Sequence, residues 1–289
     1  MTAIDRPRRS MLYMPGSNAR ALDKGRGLPC DAIIFDLEDA VAVEAKDTAR
    51  TQIADALAAG GYGDRELLIR VNGLDSEWGA ADFAAVAAMP AHGVLVPKVE
   101  SPAMVQDVER HLADAGAPDD QSIWCMMETP IGILRAAEIA ASSPRLAGFI
   151  LGTNDLALDL RCRQTPDRLP FMTSFGLCIL AARAHGLAVI DAVHTDLDDM
   201  DGFADACRQG RDLGFDGKSL IHPKTIDTAN ALFGPSADEV AWARKLVEAY
   251  REGRAAGKAV IVVDGQMIED LHVREAQRLL AMADSVTSI

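Results

Sequence analysis

The chain contains 289 residues, of which 49% are hydrophobic and 25% are charged. This length and composition fit one large α/β domain with an appended segment better than two equal domains. The 43 acidic residues outnumber the 29 basic ones, and the formal net charge of -14 argues against nucleic acid or an anionic membrane as partner. The first residues lack an apolar signal region and no run approaches a membrane span of roughly 18 apolar residues, so the cytoplasm is the expected location.

Eight short apolar runs recur along the chain, with segments of helical spacing between them. They occupy residues 10–14, 32–36, 66–71, 93–97, 123–127, 148–152, 187–191 and 217–221. No two-residue hairpin turn follows any of them, which favours right-handed crossovers between parallel strands. Eight such units predict a closed (β/α)8 TIM barrel. An open doubly wound sheet is the alternative, but no G-x-G-x-x-G follows the first run and no P-loop is present.

The chain continues beyond the eighth run for longer than a barrel requires. We predict a barrel domain over residues 1–235 and a C-terminal extension over 236–289 that contains helices and a lid segment. The Gly-rich, charged stretch 251–258 is typical of a linker. The helical patterns in this part of the chain cover residues near 223–232, 236–255 and 268–285.

TIM-barrel active sites lie at the carboxyl ends of the strands, so the residues that follow each run are the candidates for chemistry. Acidic side chains end three of the runs, namely Asp36, Glu38 and Asp39 after the second, Glu128 after the fifth and Asp155 after the sixth. So many carboxylates around one opening would repel one another unless a cation lay among them. Oxygen ligands without a His and Cys arrangement point to Mg²⁺, or to Mn²⁺, rather than zinc. We predict Glu128 and Asp155 as direct metal ligands.

Acidic residues at strand ends also cap helices, and Asp155 or Asp36 could serve only that role. The convergence of three strands nevertheless favours a metal site. Arg70 adds a second argument, because a guanidinium in a buried strand needs a desolvated anionic partner, either these carboxylates or a substrate. Asp36, Glu38 and Asp39 would then hold metal-bound waters or orient Arg70.

Seven segments, taken in chain order, resemble one known family. They are SMLYMPGSNARALDK, IIFDLEDAV, LLIRVNG, LVPKVE, METPIGI, LGTNDLA and SLIHPKTI. Together they are similar to the citrate lyase β-subunit-like group of the HpcH/HpaI aldolase superfamily, which includes malyl-CoA and citramalyl-CoA lyases and the related malyl-CoA thioesterases. The resemblance covers nearly the whole chain, with one motif at each of these strand ends.

The resemblance implies a (β/α)8 barrel that assembles as trimers or hexamers and binds Mg²⁺ through Glu128 and Asp155. It also implies that Arg70 contacts the reacting carbonyl or carboxylate of an acyl-CoA thioester. Some of the residues expected at the acyl-CoA site, Lys98, Lys24 and His222 among them, could equally be solvated charges or an ordinary loop histidine. The full set expected there is Tyr13, Arg20, Lys24, Lys98, Asn154, Ile221 and His222.

Two positions depart from the pattern of the family. Asn18 stands after the PGS turn where lyases of this group often carry arginine, and Arg20 lies close by. In the tail, DGQMIED places Glu269 where family members tend to have an aspartate that enters the active site of a neighbouring subunit, and Asp270 follows it. We expect Glu269 to act there as a proton donor or water activator.

Three functions are compatible with these residues. The leading hypothesis is Mg²⁺-dependent cleavage of a carbon–carbon bond in a malyl-CoA-type thioester, giving glyoxylate or pyruvate plus acetyl-CoA or propionyl-CoA. The second is a (3S)-malyl-CoA thioesterase, which would direct water at the thioester and release malate and CoA. The third is a non-catalytic subunit that binds an acyl carrier in a lyase complex, and the intact set of Glu128, Asp155 and Arg70 argues against it.

Overall fold

The computed structural model of the protein describes residues 6–257 and 260–287. Eight parallel strands, β1 to β8, close into a barrel in chain order, so that β8 pairs with β1. Each strand overlaps one of the eight apolar runs, and the TIM barrel expected from the sequence is confirmed. The strands are Ser10–Pro15, Ala32–Asp36, Glu66–Arg70, Gly93–Val96, Ser122–Met127, Leu146–Leu151, Ala188–Asp191 and Gly217–Leu220.

Helices follow the strands and form the outer layer of the barrel. Helices α1 to α10 are Ala19–Gly25, Lys46–Ala59, Gly79–Ala87, Pro102–Asp114, Pro130–Leu134, Ala136–Ala140, Thr153–Leu160, Met172–Ala184, Met200–Leu213 and Ile226–Phe233. Short 3-10 turns precede α2, α8 and α10 at Val43–Ala45, Leu169–Phe171 and Pro223–Thr225. Among the helices described, none is both long and apolar enough to cross a membrane.

Alternation along the strands divides the apolar side chains between two cores. One core fills the inside of the barrel with side chains such as Ile34, Leu68 and Trp124. Side chains of the opposite parity, such as Leu12 and Val189, pack against the helices in a larger cluster. Because the barrel is filled in this way, polar chemistry is confined to its ends.

The amino-terminal end of the barrel is closed by buried charge. The guanidinium of Arg8 donates from Nη2 to Oε1 of Glu66 at 2.9 Å and lies 5.0 Å from the ring centroid of Trp124. Nearby, Nη2 of Arg9 is 2.7 Å from Oδ1 of Asp31. These pairs leave the carboxyl end of the strands as the end at which polar side chains can face a ligand.

The C-terminal extension forms a small unit with its own apolar cluster. It consists of α11 (Ala237–Ala255), a hairpin of β9 (Ile261–Val263) and β10 (Gln266–Ile268), and α12 (Asp270–Thr287). Side chains from all four elements, including Leu246, Ile261, Ile268 and Val273, are buried together. The extension therefore has a core that is separate from the two cores of the barrel.

The predicted linker at 251–258 is wrong over most of its length, because α11 continues to Ala255. The helix begins with a capping box between Ser236 and Glu239. Near its end Gly253 lies against the hairpin, and a Cβ there would be 2.6 Å from Cγ1 of Ile261. The glycine thus permits close packing of helix and strand. Lys258, the last residue of the predicted linker, lies outside the described residues.

We expect Gly217→Ala to lower the free energy of unfolding by about 2 kcal/mol, within the range usual for overpacking a core. Gly217 begins β8, where the barrel closes, and a Cβ there would lie 1.8 Å from the carbonyl oxygen of Arg8. Urea denaturation of the two proteins measures the difference. Gly176→Ala is the matched control, because Gly176 lies within α8 with no neighbour within 4 Å of its Cβ position. That variant should be more stable by about 0.5 kcal/mol, and a loss equal to that of Gly217→Ala would contradict the packing argument.

Candidate active site

The end of β3 carries a buried arginine that is held by the end of β2. Arg70 and Asp36 are register partners in the β2–β3 ladder, and both share strand parity with the side chains inside the barrel. Nε of Arg70 donates to Oδ1 of Asp36 at 2.7 Å, and Nη2 donates to Oδ2 at 2.5 Å. A bidentate pair of this kind sets the plane of the guanidinium as well as its position.

The loop after β2 brings two further carboxylates to the same guanidinium. Asp36 accepts the backbone N–H groups of Glu38 at 2.9 Å and Ala40 at 3.1 Å, so its carboxylate holds this loop as well as Arg70. Nη1 of Arg70 is then 2.8 Å from Oε2 of Glu38 and 3.3 Å from Oδ2 of Asp39. Burial raises the pKa of Glu38, although the charge of Arg70 opposes the shift. The structure thus brings Arg70, Glu38 and Asp39 together.

Tyr13 and Met126 complete the surroundings of the guanidinium. The Tyr13 ring centroid lies 4.9 Å from Cζ of Arg70, a distance at which the ring attracts the cation. The Tyr13 hydroxyl donates to Sδ of Met126 at 3.7 Å. Burial raises the pKa of Tyr13, so its hydroxyl stays protonated at neutral pH. The structure therefore places Tyr13 beside Arg70.

Glu128 is buried at the end of β5 with only 2% of its surface exposed. Its Oε1 accepts the backbone N–H of Lys98 at 2.8 Å. Burial, reinforced by the charge of Asp155, raises the pKa of Glu128 to about 7. The carboxyl also packs on Gly152, where a Cβ would lie 2.4 Å from Oε2. Gly152 is a site residue absent from the sequence-based predictions, and the glycine in LGTND is the signal that marks it.

Asp155 and Lys98 lie across the mouth from the acidic loop. The N-cap of α7 is Gly152, so the alternative that Asp155 serves as the N-cap is wrong. Nζ of Lys98 is 3.6 Å from Oδ1 of Asp155 and 3.6 Å from Oε1 of Glu38. Burial alone would lower the pKa of Lys98, but the surrounding carboxylates raise it. Its ammonium therefore links carboxylates that arise from two different strands.

Glu128 and Asp155 have the chemistry of ligands for a hard divalent cation. Burial and mutual repulsion disfavour the charged form of Glu128, and a cation beside both carboxylates would reverse that effect. Over residues 6–257 and 260–287, no three or more His, Cys, Asp or Glu side chains are grouped to enclose a metal. Two carboxylates, with the other positions left to water and substrate oxygens, are a common arrangement for Mg²⁺. These two residues could therefore hold Mg²⁺.

Four of the residues expected at the acyl-CoA site lie on one side of the rim. Arg20 and Lys24 are exposed one turn apart on α1. Ile221 and His222 are exposed directly after β8. Because β8 pairs with β1, these two segments are neighbours at the carboxyl end of the barrel. Their positive charge and exposed apolar surface suit a long anionic ligand that approaches the mouth from this side.

Asn154 and Glu269 lie apart from these groups. Asn154 is exposed at the start of α7, and its Oδ1 accepts from Nε2 of Gln164 at 2.9 Å. Glu269 is exposed between β10 and α12, and its backbone N–H donates to Nδ1 of His272 at 3.0 Å. The contacts described within one chain do not bring Glu269 to Arg70.

Asp191, the last residue of β7, faces the helices and not the mouth. It shares strand parity with Val189, and this parity could have shown its direction. Both oxygens of Asp191 accept from Nη1 of Arg168, at 2.8 and 2.7 Å, and Oδ2 accepts from Nζ of Lys218 at 2.8 Å. Burial would raise the pKa of Asp191, but the charges of Lys218 and Arg168 lower it. This buried cluster holds the barrel to its helices.

The sequence pattern of the family described as HpcH/HpaI aldolase/citrate lyase matches residues 9–223. The chain belongs to this family. The (3S)-malyl-CoA thioesterase of Cereibacter sphaeroides is 49% identical over 282 residues, which cover 98% of this chain and 96% of that protein. Citrate lyase subunit beta of Escherichia coli K12 is 38% identical over 284 residues, which cover 96% of this chain and 94% of that protein.

Solved structures of the family share this architecture. The protein CitE from Mycobacterium tuberculosis, in complex with magnesium, acetoacetate and coenzyme A, matches with a TM-score of 0.79 and 28% identity. The match covers 97% of this chain and 99% of that one. RipC from Yersinia pestis matches with a TM-score of 0.69 and 30% identity, over 82% of this chain and 99% of that one. The family resemblance seen in the sequence motifs is confirmed.

We expect the affinity for Mg²⁺ to rise with pH through about 7, because Glu128 must lose its proton to act as a ligand and its pKa is raised to about 7. Below that pKa the dissociation constant for Mg²⁺ should increase about tenfold for each unit by which the pH falls. Above pH ~8 it should no longer change with pH. Calorimetric titrations in several buffers measure this dependence. Glu128→Gln should bind Mg²⁺ weakly, with an affinity that does not depend on pH in this range. If the Mg²⁺ affinity of the wild-type protein does not change between pH ~6 and ~8, Glu128 is not a ligand.

Proposed function

We propose that this protein is a Mg²⁺-dependent enzyme that hydrolyses the thioester of a malyl-CoA-type substrate. The observation that carries the proposal is the barrel mouth. There Asp36 immobilises the guanidinium of Arg70, which pairs with Glu38, and Lys98 connects Glu38 to Asp155 beside the buried Glu128. The (3S)-malyl-CoA thioesterase that is 49% identical over 98% of the chain supports this substrate and this reaction. Cleavage of a carbon–carbon bond in the same substrate class is the second candidate.

The acidic mouth requires a cation if it is to accept an anionic acyl group. The malyl part of the substrate carries a carboxylate and a hydroxyl, and the carboxylate would be repelled by Glu38, Glu128 and Asp155 alone. Glu128 and Asp155 would hold Mg²⁺ and leave positions for the oxygens of the substrate. When bound, Mg²⁺ would offset this negative charge and polarise a substrate oxygen. The magnesium and coenzyme A present in the CitE structure support this arrangement.

Arg70 is suited to stabilise negative charge that develops at a fixed position. Two of its nitrogens are bound to Asp36, and the ring of Tyr13 lies against the guanidinium. A donor held in this way needs little reorganisation when charge develops on the thioester oxygen during attack by water. In the lyase alternative the same donor would stabilise the enolate of the departing acyl-CoA.

Two features favour hydrolysis over carbon–carbon cleavage. Identity to the thioesterase is higher than identity to citrate lyase subunit beta, at 49% against 38%. The tail also carries Glu269, whose carboxylate reaches one methylene further than the aspartate expected there and is suited to activate water. In the lyase alternative, this residue would protonate the enolate of acetyl-CoA or propionyl-CoA after glyoxylate or pyruvate forms.

A non-catalytic subunit of a lyase complex is the third candidate, and the identity of 38% to citrate lyase subunit beta favours it. Such a subunit would need a carrier protein to present its acyl group. Activity of the purified chain on a free acyl-CoA would eliminate this possibility.

We infer that Glu269 acts in a neighbouring subunit of a homo-oligomer, a trimer or a hexamer. Around it the extension exposes Val260, Val262, Met267 and Leu271, whose exposed fractions lie between 57% and 60%. Adjacent exposed apolar side chains of this size are typical of an interaction surface. A subunit that covers this surface would also place Glu269 at a boundary between subunits.

Incubation of the purified protein with malyl-CoA and Mg²⁺ should yield malate and CoA in equal amounts, because water attacks the thioester carbon. Chromatography identifies the acid, and a thiol reagent measures CoA. Glu128→Ala should abolish turnover and weaken Mg²⁺ binding, whereas Glu138→Ala, at an exposed carboxylate on α6, should change neither. Glyoxylate with acetyl-CoA would instead establish the lyase, and no product from any free acyl-CoA would contradict catalysis by this chain.

Glu269→Gln should lower kcat by about 100-fold, the usual scale for losing a general acid or base, with little change in Mg²⁺ affinity. Subunit mixing tests where the residue acts. Glu269→Gln and Arg70→Ala chains are each defective, but a mixed oligomer would contain some sites with both residues intact. Activity should therefore partly return on mixing. If oligomers whose mixed composition is verified by mass are inactive, Glu269 does not act across the interface. The general acid or base would then be sought among Asp36, Glu38 and Asp39.

A further inference from the structure

Lys46 is a buried lysine that lies directly beneath the acidic loop of the mouth. It begins α2, and only 6% of its surface is exposed. Its Nζ donates to the carbonyl oxygens of Leu37 at 2.7 Å and Glu38 at 2.8 Å, and to Oδ1 of Asn72 at 2.9 Å. An ammonium has three protons to donate, so these acceptors use all of them. Nζ also lies 5.2 Å from the ring centroid of Trp78.

The acceptors of Lys46 are themselves held in place. Nδ2 of Asn72 donates to Oδ2 of Asp82 at 2.6 Å and to the carbonyl oxygen of Leu37 at 2.9 Å. Asp82 in turn accepts from Arg50 at 3.0 and 2.8 Å. Because its amide nitrogen faces Asp82, Asn72 must present its oxygen to Lys46. The network therefore connects α2, α3 and the segment after β3 to the two loop residues that follow Asp36.

This network determines where the backbone of Glu38 lies. The carbonyl of Glu38 is bound to Lys46 on one side of the loop, and its carboxylate is 2.8 Å from Nη1 of Arg70 on the other side. A neutral side chain could fill the same volume, but each of the two carbonyl oxygens would then lose one of its donors. Leu37 would keep only Nδ2 of Asn72, and Glu38 only the backbone N–H of Val41. The positive charge of Lys46 also offsets the negative charge of the loop. Since its protons face backbone and amide oxygens, Lys46 does this without contacting a ligand in the mouth.

We propose that Lys46 is a positioning residue, which holds Glu38 and, through it, Arg70 in the geometry that the reaction requires. The proposal rests on the proposed function in that Arg70 acts on the substrate. The effect of Lys46 on the loop itself does not depend on which reaction is catalysed. The two parts can therefore be tested separately.

Lys46→Met tests the first part without any substrate, because methionine keeps the apolar stem and removes the ammonium. In the ligand-free protein, the amide protons of Glu38 and Ala40, which donate to Asp36, should exchange at least about tenfold faster, as expected when a local opening becomes easier. Amides within β5 and β6 should be unchanged. Lys218→Met is the matched control, since Lys218 is an equally buried lysine that binds Asp191 in the helix-facing layer. Unchanged exchange at Glu38 and Ala40 in Lys46→Met would overturn the proposal.

The second part is tested with whichever acyl-CoA the wild-type protein converts. Lys46→Met should lower kcat by about tenfold or more, while KM for the acyl-CoA stays within about twofold. The reason is that Arg70 stabilises the transition state, and a misplaced guanidinium would lose this effect without weakening substrate binding. Lys218→Met should lower the melting temperature without this fall in kcat. Equal kcat in Lys46→Met and wild type would overturn the catalytic part. A wild-type protein without activity would contradict the proposed function alone, since the exchange experiment still decides the role of Lys46.

Asn72→Ser provides a second variant if Lys46→Met does not fold. It removes one acceptor of Lys46, together with the amide donor that Asn72 supplies to Leu37 and Asp82, and it leaves the ammonium bound to the carbonyl oxygens of Leu37 and Glu38. Faster exchange at Glu38 and Ala40, smaller than that expected for Lys46→Met, would support the proposal. Exchange equal to that of the wild-type protein would overturn it.

Discussion

A buried guanidinium at the end of a strand would be strongly unfavourable without a partner. Arg70 is stabilised there by two parallel hydrogen bonds to Asp36 at the end of the neighbouring strand β2. Removing one partner of a buried pair commonly costs about 3–5 kcal/mol, because the other charge remains desolvated. The pair is possible because the register of β2 and β3 places residues 36 and 70 opposite each other. Glu38, Asp39 and Tyr13 all contact this guanidinium, so their arrangement in the mouth depends on where it lies.

The cations around the mouth are fewer than its carboxylates, and each offsets them from a different direction. Arg70 faces the loop carboxylates from within the barrel, Lys98 links Glu38 to Asp155 across the opening, and Lys46 binds the loop from below. Glu128 accepts a backbone N–H, and its pKa remains raised. An added divalent cation would therefore stabilise the charged form of this carboxyl most strongly. Arg70 and Lys46 are each fixed by several hydrogen bonds, which favours a mouth whose geometry is set before a ligand binds.

Much of the fold could be predicted from local pattern. Eight apolar runs and the segments between them indicated a parallel barrel, and polar residues at the ends of those runs indicated its mouth. The predicted linker at 251–258 was wrong because a glycine such as Gly253 can serve close packing as well as flexibility. Strand parity shows the direction of Asp191, which lies on the same face of β7 as Val189 and binds Lys218 away from the mouth. The role of Gly253 depends instead on what surrounds it after folding.

The sequence by itself determined the barrel, its family and the residue types that gather at the carboxyl ends of the strands, because these depend on periodicity and chain order. Only the tertiary structure decided how those residues pair. Residues 36 and 70, 38 and 46, and 128 and 152 contact one another through strand register and loop conformation. The raised pKa of Glu128 likewise depends on burial and on Asp155, which lies 27 positions later in the chain. Such contacts arise from packing between elements, which a linear pattern does not contain.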